Sequence, residues 1–399
     1  MKKTAWVVTI TAVLAGTSIA IIQNKVLPCI TLLQEVFDIS ASTAGWLSSV
    51  FSATGIVIAI PGAMIVSRMG VKRAGLFSMI CALAGSLLGV FAASAGLLMI
   101  SRIIEGVGLG LISIAVPSII SMWFPPEKRG LPMGVWSSWQ FVAQAVVFFF
   151  GYSITDTFGW KGIWWFGIII AFTVTICYAA FVKAPPTEYN HAEIETEEKV
   201  SIRSALSYRP VWYACIAGFC FNFACFGFVS WVAPSWAGRF EIELDVANKF
   251  ISFMQIWALP VVIAVGVALD RARSKIKFCM CAFVAYVPIV SAAFLLPGAK
   301  WIIPFVIVYP IAEGAVITGL WTILPQTVDE CKCIPIAIGM FGLTQNIGML
   351  LGPPIVGAMA ESGGWHFAAI PLLIVTITGG LMTSRIQLYE EGEEKQLTA

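Results

Sequence analysis

The feature of this chain that most constrains its fold is a series of twelve apolar runs, each long enough to cross a bilayer. A spanning helix needs about 20 apolar residues to cross about 30 Å of hydrocarbon. Hydrophobic residues make up 59% of the chain and charged residues only 12%. Because backbone groups in lipid must be hydrogen-bonded internally, such runs form helices. We therefore predict an all-α membrane protein with twelve transmembrane helices, at residues 5–31, 42–66, 74–94, 96–122, 132–155, 160–182, 211–236, 247–269, 276–297, 301–325, 335–358 and 365–386.

The second half of the chain repeats the pattern of the first. Matched positions keep an offset of about 205 residues, which indicates two homologous halves: Lys25 with Trp231, Ser67 with Asp270, Glu105 with Glu313, Gln140 with Gln345, and Gly159-Trp160 with Gly364-Trp365. In a membrane protein, such halves are typical of a secondary transporter that holds its substrate where they meet. We predict two pseudo-symmetric six-helix bundles, at 1–183 and 211–386, with a cytoplasmic linker at 184–210 and a cytoplasmic tail at 387–399.

The positions of the basic residues predict the orientation of the chain. Lys25 and Arg102 lie within spans, and nearly all other Lys and Arg residues fall on the side of the two termini. The opposite side has only Lys161, Arg239, Lys249 and Lys300. Because loops rich in Lys and Arg stay in the cytoplasm, we expect both termini there, in the inner membrane of a prokaryotic cell. The first apolar run is too long for a signal peptide, so we expect it to be retained.

Several short motifs resemble the major facilitator superfamily of secondary transporters, and the resemblance covers essentially the whole chain. Residues 63–73 are similar to the family's Gly-x-x-x-Asp-Arg-x-Gly-x-Arg-Arg signature, and residues 266–275 to its second copy. Residues 102–108, Arg-Ile-Ile-Glu-Gly-Val-Gly, resemble its Arg-x-x-Gln-Gly-x-Gly motif. The resemblance implies the two-bundle fold, transport by alternating access and a monomer. The first two spans also resemble the cyanate-permease-like branch, which handles anions.

The first signature departs from the family pattern at its acidic residue, which is Ser67 here. In the family that acid helps to latch the ends of the two halves in one conformational state. We therefore hypothesise a weaker latch in this chain, with Asp270 as the surviving acidic copy. The residues that the resemblance implies in conformational gating are Ser67, Arg68, Gly70, Arg73, Asp270 and Arg271.

Four charged residues fall at membrane depth, where a charge costs about 2.5–3.5 kcal/mol and usually has a partner or a task. Lys25 is followed by more apolar residues, so it is either a cation facing the cavity, suited to an anion, or a side chain that extends to the surface. Arg102 and Glu105 share a helix face and can neutralise each other, although the family implies a part in proton movement. Glu313 has no basic neighbour in its helix, which makes it our leading candidate for proton coupling; the alternative is a neutral structural acid.

Uncharged polar residues within the spans complete the candidate site. A buried amide must be hydrogen-bonded to a neighbouring helix or to a ligand. Trp231 is included because it matches Lys25 by the repeat, and an indole opposite a cation suits a small organic anion with an apolar part. The candidate substrate-binding residues are therefore Lys25, Gln140, Gln144, Asn222, Trp231, Gln255, Gln345 and Asn346.

The chain lacks the residues that other classes of function require. A net charge of +2 does not favour nucleic-acid binding, and no P-loop occurs, so ATP is not the energy source. Cysteines such as Cys225 are interpreted as small core residues; the pairs Cys279/Cys281 and Cys331/Cys333 have no companion ligands, so no metal, cofactor or enzyme activity is expected. We predict a transporter of a small organic anion with protons. The alternatives are an exporter of an apolar drug or metabolite and a non-transporting membrane sensor.

Overall fold

The computed structural model describes residues 2–124, 130–183, 207–328 and 334–388. In these ranges twelve helices are long and apolar enough to cross a membrane, which confirms the predicted fold class. We number the spans 1 to 12. Spans 1–6 are Lys2–Asn24 with Ile30–Phe37, Ala41–Met69, Val71–Val90, Ala95–Trp123, Gly130–Ser137 with Trp139–Phe158, and Trp160–Phe181. Spans 7–12 are Arg209–Phe240, Leu244–Asp270, Lys275–Ala292, Ile302–Ile323, Ile334–Gly363 and Trp365–Thr383.

Span 1 is interrupted and is longer than its apolar run indicated. Its first helix ends at Asn24, a 3-10 turn follows at Leu27–Cys29, and a second helix runs from Ile30 to Phe37 rather than ending at residue 31. Pro28 lies in the turn, and proline has no N–H to continue the helical hydrogen bonds. The break therefore leaves the carbonyl groups at the end of the first helix without intrahelical partners.

The internal repeat is visible in the turns that join spans 5 to 6 and 11 to 12. Gly159 and Gly364 occupy matching positions there, with φ of 68° and 75°. Glycine adopts such positive φ values without the steric cost of a Cβ atom. The two six-helix bundles therefore share this turn as well as their helix order.

The two bundles meet along spans 2 and 11 and along spans 5 and 8. We call the end that holds residues 2 and 383 the terminal face and the other end the opposite face. At the opposite face the Ala41 N–H donates to Glu361 Oε2 at 3.1 Å, and a Cβ on Gly45 would lie 2.6 Å from the Pro353 carbonyl. Deeper, the Ser252 hydroxyl donates to the Ala145 carbonyl at 2.8 Å.

Toward the terminal face the bundles part. Nearer the middle of the two helices, a Cβ on Gly55 of span 2 would lie 3.2 Å from the Asn346 amide oxygen of span 11. Toward the terminal face, Gly266, Gly339 and Gly342 have no atom within 4 Å of an added Cβ, apart from their own helix and chain neighbours. The contacts at Ala41 and Gly45 close the space between the bundles at the opposite face, and these three glycines make no such contact.

Candidate functional site

Three charged side chains form a cluster inside the first bundle. Lys25 Nζ lies 2.6 Å from Glu105 Oε1, and Arg102 Nη1 lies 2.6 Å from Glu105 Oε2. Ser86 donates to the same carboxylate at 2.7 Å and accepts from Lys25 at 3.0 Å. All four side chains are fully buried. Two cations therefore share one carboxylate, which leaves the cluster with one surplus positive charge if all three ionisable groups are charged.

Lys25 is not the lone, cavity-facing cation that the sequence suggested. Besides its ion pair, its ammonium lies 4.5 Å from the centre of the Trp164 ring on span 6, and Ser86 belongs to span 3. These neighbours place the ammonium between helices of its own bundle. The surface-reaching alternative fails too, because Lys25 is fully buried. Its carboxylate partner lies 80 positions away in the sequence, beyond any local pattern.

Arg102 satisfies the backbone of the interrupted span 1. Its guanidinium donates to the carbonyls of Ile22, at 2.7 Å, and Gln23, at 2.5 Å. These carbonyls lie at the end of the first helix, where intrahelical donors are missing. Its Nε also donates to the Leu47 carbonyl on span 2. Arginine has several fixed donors in one plane, so a single side chain joins spans 1, 2 and 4.

Amide side chains from spans 1 and 5 lie directly beside the charged cluster. Gln140 Nε2 donates to Gln23 Oε1 at 3.0 Å, and Asn24 Nδ2 donates to Gln140 Oε1 at 3.3 Å. Gln23 thus connects the two groups, because its backbone carbonyl accepts from Arg102. Sequence reasoning did not select Gln23 and Asn24, although two amides just before Lys25, five and four residues before Pro28, were a usable signal.

Glu313 has a different environment in the second bundle. Its Oε1 accepts from the Cys225 thiol at 3.0 Å and from the Tyr309 hydroxyl at 3.5 Å. Tyr309 in turn lies 3.3 Å, oxygen to oxygen, from Tyr286. No basic side chain pairs with Glu313 in the part of the chain that the structure describes. Cys225, which we interpreted as a core residue, is therefore a partner of this carboxyl group and is only partly buried.

The remaining amides differ in how much of their hydrogen-bonding capacity the protein uses. Asn222 and Asn346 donate to carbonyls of their own helices at 3.1 and 2.9 Å. Gln144 and Gln255 are 8% and 4% exposed, yet neither side chain hydrogen-bonds to any described residue. Gln345 is partly buried and is also without such a bond among the described residues. These amides are able to bind polar groups of a ligand.

Trp231 does not face Lys25 across a cavity. It is 1% exposed, and its indole donates to the Pro353 carbonyl at 2.8 Å. A Cβ on Gly357 would lie 2.7 Å from the same indole and 2.8 Å from the Ala41 carbonyl. Trp231 therefore supports the part of span 11 that closes against span 2. The sequence paired it with Lys25 by position in the repeat, but the two residues have different neighbours.

The residues predicted to take part in conformational gating lie at the terminal face. Gly70 ends span 2 with φ of 79°, and the side chains of Arg68, Arg73 and Arg271 are exposed. These three arginines make no ion pair with other described residues. The helical backbones of Ser67 and Asp270 are described, but their side chains lie outside the described part, so the proposed weak latch stays a prediction.

No metal centre is assembled in the described ranges. They contain no group of three or more His, Cys, Asp and Glu side chains placed to hold an ion. Cys279 is buried and Cys281 is exposed on the same helix. Cys331 and Cys333, like the linker at 184–206 and the tail from 389, lie outside the described residues.

Comparisons with known proteins agree with this architecture. The chain is 24% identical to the hexuronate transporter of Bacillus subtilis (strain 168), over 85% of this chain and 84% of that protein. It is 22% identical to the putative niacin/nicotinamide transporter of the same organism, over 83% and 82%. A bacterial homologue of the human lysosomal transporter Spinster, solved in an inward-facing and unoccupied conformation, superposes with a TM-score of 0.81 at 16% identity, over 98% of this chain and all of that one. The family model described as Major Facilitator Superfamily matches residues 8–330, and the chain therefore belongs to the major facilitator superfamily of transporters.

Proposed function

We propose that this protein is a secondary active transporter that carries a small organic anion together with protons. The observation that carries the proposal is the unequal charge of the two bundles. The first bundle holds Lys25 and Arg102 around a single carboxylate, Glu105, whereas Glu313 in the second bundle has only neutral partners. The two bundles thus combine a surplus positive charge with a separate titratable acid.

This arrangement links anion binding to protonation. With Glu313 ionised, the four charges at membrane depth sum to zero, from two cations and two carboxylates. With Glu313 protonated, the same groups sum to +1, which favours an anion in the space between the bundles. A ligand that prefers one protonation state shifts the equilibrium toward it. Anion and proton would therefore load together.

The substrate's polar groups would be bound by the amides that the protein leaves with free capacity. Gln144 and Gln255 lie near the contact of Ala145 with Ser252, where spans 5 and 8 meet. Gln345, Asn346 and Asn222 offer further amide groups on spans 11 and 7. Gln140 would act with Gln23 and Asn24, beside the charged cluster. The name of the hexuronate transporter, an organic-anion carrier by that name, supports this substrate class.

The orientation and the assembly belong to the same proposal. We infer that both termini are cytoplasmic, because nearly all Lys and Arg outside the spans fall on the terminal face. The opposite face, where Ala41 and Gly45 contact span 11, would then face away from the cytoplasm. We further propose a plasma-membrane location, a functional monomer, and bundles bounded at 1–183 and 211–386.

Uptake into proteoliposomes tests this function. A panel of small carboxylates is supplied with and without an inward proton gradient, to the wild type and to Glu313→Gln. We expect the gradient to stimulate uptake of at least one carboxylate in the wild type. In Glu313→Gln that stimulation should vanish while exchange without a gradient persists, because an amide at this position carries no proton.

The matched control is Glu35→Gln, which removes an exposed carboxylate at the opposite face. It should respond to the gradient like the wild type. If carboxylate uptake is the same with and without the proton gradient in every variant, proton coupling is contradicted. If no carboxylate is transported and apolar compounds are extruded instead, the result would favour the alternative function of an exporter of an apolar drug or metabolite.

A further inference from the structure

A groove lies at the terminal face, where the chain turns from span 8 into span 9. Its volume is about 520 Å³, and it is lined by Ala272, Arg273, Ser274, Lys277, Phe278 and Cys281. It lies outside the space between the bundles, because span 9 packs mainly against spans 10 and 12 of its own bundle. None of the substrate and proton groups described above lines it.

Two cations of the groove make no ion pair with the side chains that the structure describes. Arg273 and Lys277 are both exposed, and neither forms an ion pair with another described residue. Ser274 begins span 9, and its hydroxyl accepts from the Lys277 backbone N–H at 3.4 Å. This cap holds the backbone between the two cations in a fixed turn. Basic residues close to the membrane surface attract anionic lipid headgroups.

An exposed apolar stripe continues from the groove into the membrane. Below Lys277 on span 9, Cys281, Val284 and Pro288 are all exposed, and Val284 is 73% exposed. Their spacing of four, three and four residues places them on one face of the helix. Eleven residues of helix rise about 16 Å, close to half of the roughly 30 Å hydrocarbon thickness. The stripe therefore has the length of one leaflet.

We propose that this groove is a binding site for an anionic phospholipid, with the phosphate at Arg273 and Lys277 and an acyl chain along span 9. A charged end continuous with an apolar stripe matches an amphiphile. Free phosphate would use only the cations and leave Phe278 and Cys281 without a partner. A zwitterionic lipid would cover the stripe but gain less from the two positive charges of Arg273 and Lys277.

Photo-crosslinking tests the site. The protein is reconstituted in nanodiscs of phosphatidylcholine that contain a trace of phosphatidylglycerol or of phosphatidylcholine carrying a photoactivatable acyl chain. Adducts are mapped by mass spectrometry to the segment 278–288. We expect clearly more adducts from the phosphatidylglycerol probe than from the phosphatidylcholine probe. Each cation removed should lower the apparent affinity about fivefold, from the surface electrostatics of one basic residue, so Arg273→Gln/Lys277→Gln should abolish the preference.

The control variant is Lys300→Gln, which removes an exposed cation at the opposite face and should leave the preference unchanged. If the double variant does not fold, Arg273→Gln and Lys277→Gln are compared singly, each with a smaller loss. Equal adduct yields for the two lipids would overturn the proposal, because the contact would then be ordinary annular lipid. Displacement of the phosphatidylglycerol adduct by millimolar inorganic phosphate would also overturn it in favour of a free-anion site.

Discussion

The two bundles place matching glutamates in opposite electrostatic environments. Glu105 is fully buried between Lys25 and Arg102. Glu313 occupies the corresponding position of the repeat and, among the described residues, accepts hydrogen bonds from a thiol and a phenol. Spans 4 and 10 thus both carry a glutamate at the matching position, but the side chains that contact it differ.

The sequence positions that match the two cations explain this difference. The repeat places Trp231 where the first bundle has Lys25, and Pro310 where it has Arg102. Neither replacement carries a charge. Trp231 instead supports the contact between spans 2 and 11. Glu105 is therefore paired with two cations, and Glu313 makes no ion pair with a described residue.

The largest expected effect comes from removing the two carboxylates in turn. Glu105→Gln would leave two buried cations without a counterion, and breaking a buried ion pair in this way costs about 3–5 kcal/mol. Glu313→Gln should cost about 1 kcal/mol or less, since its partners are neutral and an amide oxygen still accepts. The measurement is unfolding in mild detergent, followed by intrinsic fluorescence. Equal losses in the two variants would show that the environments do not differ as described.

A smaller effect is expected from adding a methyl group where spans 2 and 11 touch at the opposite face. A Cβ on Gly45 would lie 2.6 Å from backbone atoms of Pro353 and Pro354. Overpacking of this kind costs about 1–3 kcal/mol. Here it destabilises only the conformation in which spans 2 and 11 touch at the opposite face. Gly45→Ala should therefore shift the population toward opening there by about tenfold, measured as spin-label distances between spans 2 and 11.

The control for this experiment is Gly266→Ala on span 8. A Cβ there meets no atom within 4 Å outside its own helix and chain neighbours, so the distance distribution should stay as in the wild type. A Gly45→Ala distribution that also matches the wild type would mean that the glycine contact does not stabilise the closed face.

The smallest effect concerns the residue that replaces Lys25 in the second bundle. Trp231→Phe removes the buried indole hydrogen bond to the Pro353 carbonyl. We expect a loss of about 0.5–1.5 kcal/mol in unfolding free energy, the usual net contribution of one hydrogen bond. Trp257→Phe is the matched control, because Trp257 makes a similar bond to Ile307 at an exposed position. A larger loss in the control would contradict the structural role assigned to Trp231.

Predictions that depended on spacing within one helix agree with the structure. Arg102 and Glu105 are three residues apart and form the ion pair that this spacing allows. Predictions that required a partner from another helix were less accurate. The sequence left Lys25 either facing a cavity or reaching the surface, and the structure pairs it with Glu105, 80 positions away. Cys225 packs against the core as interpreted, but its bond to Glu313, 88 positions away, was not predicted.

The sequence by itself determined the twelve spans, the two-bundle repeat and membership of a transporter family. These follow from run length, internal periodicity and local motifs, which do not depend on how the helices pack. Only the tertiary structure decided that the first bundle neutralises its glutamate, that the second does not, and that the molecule is closed at the opposite face. Ion pairing and closure depend on which side chains become neighbours across helices. Among the described residues, these neighbours are two cations for Glu105 and a thiol and a hydroxyl for Glu313.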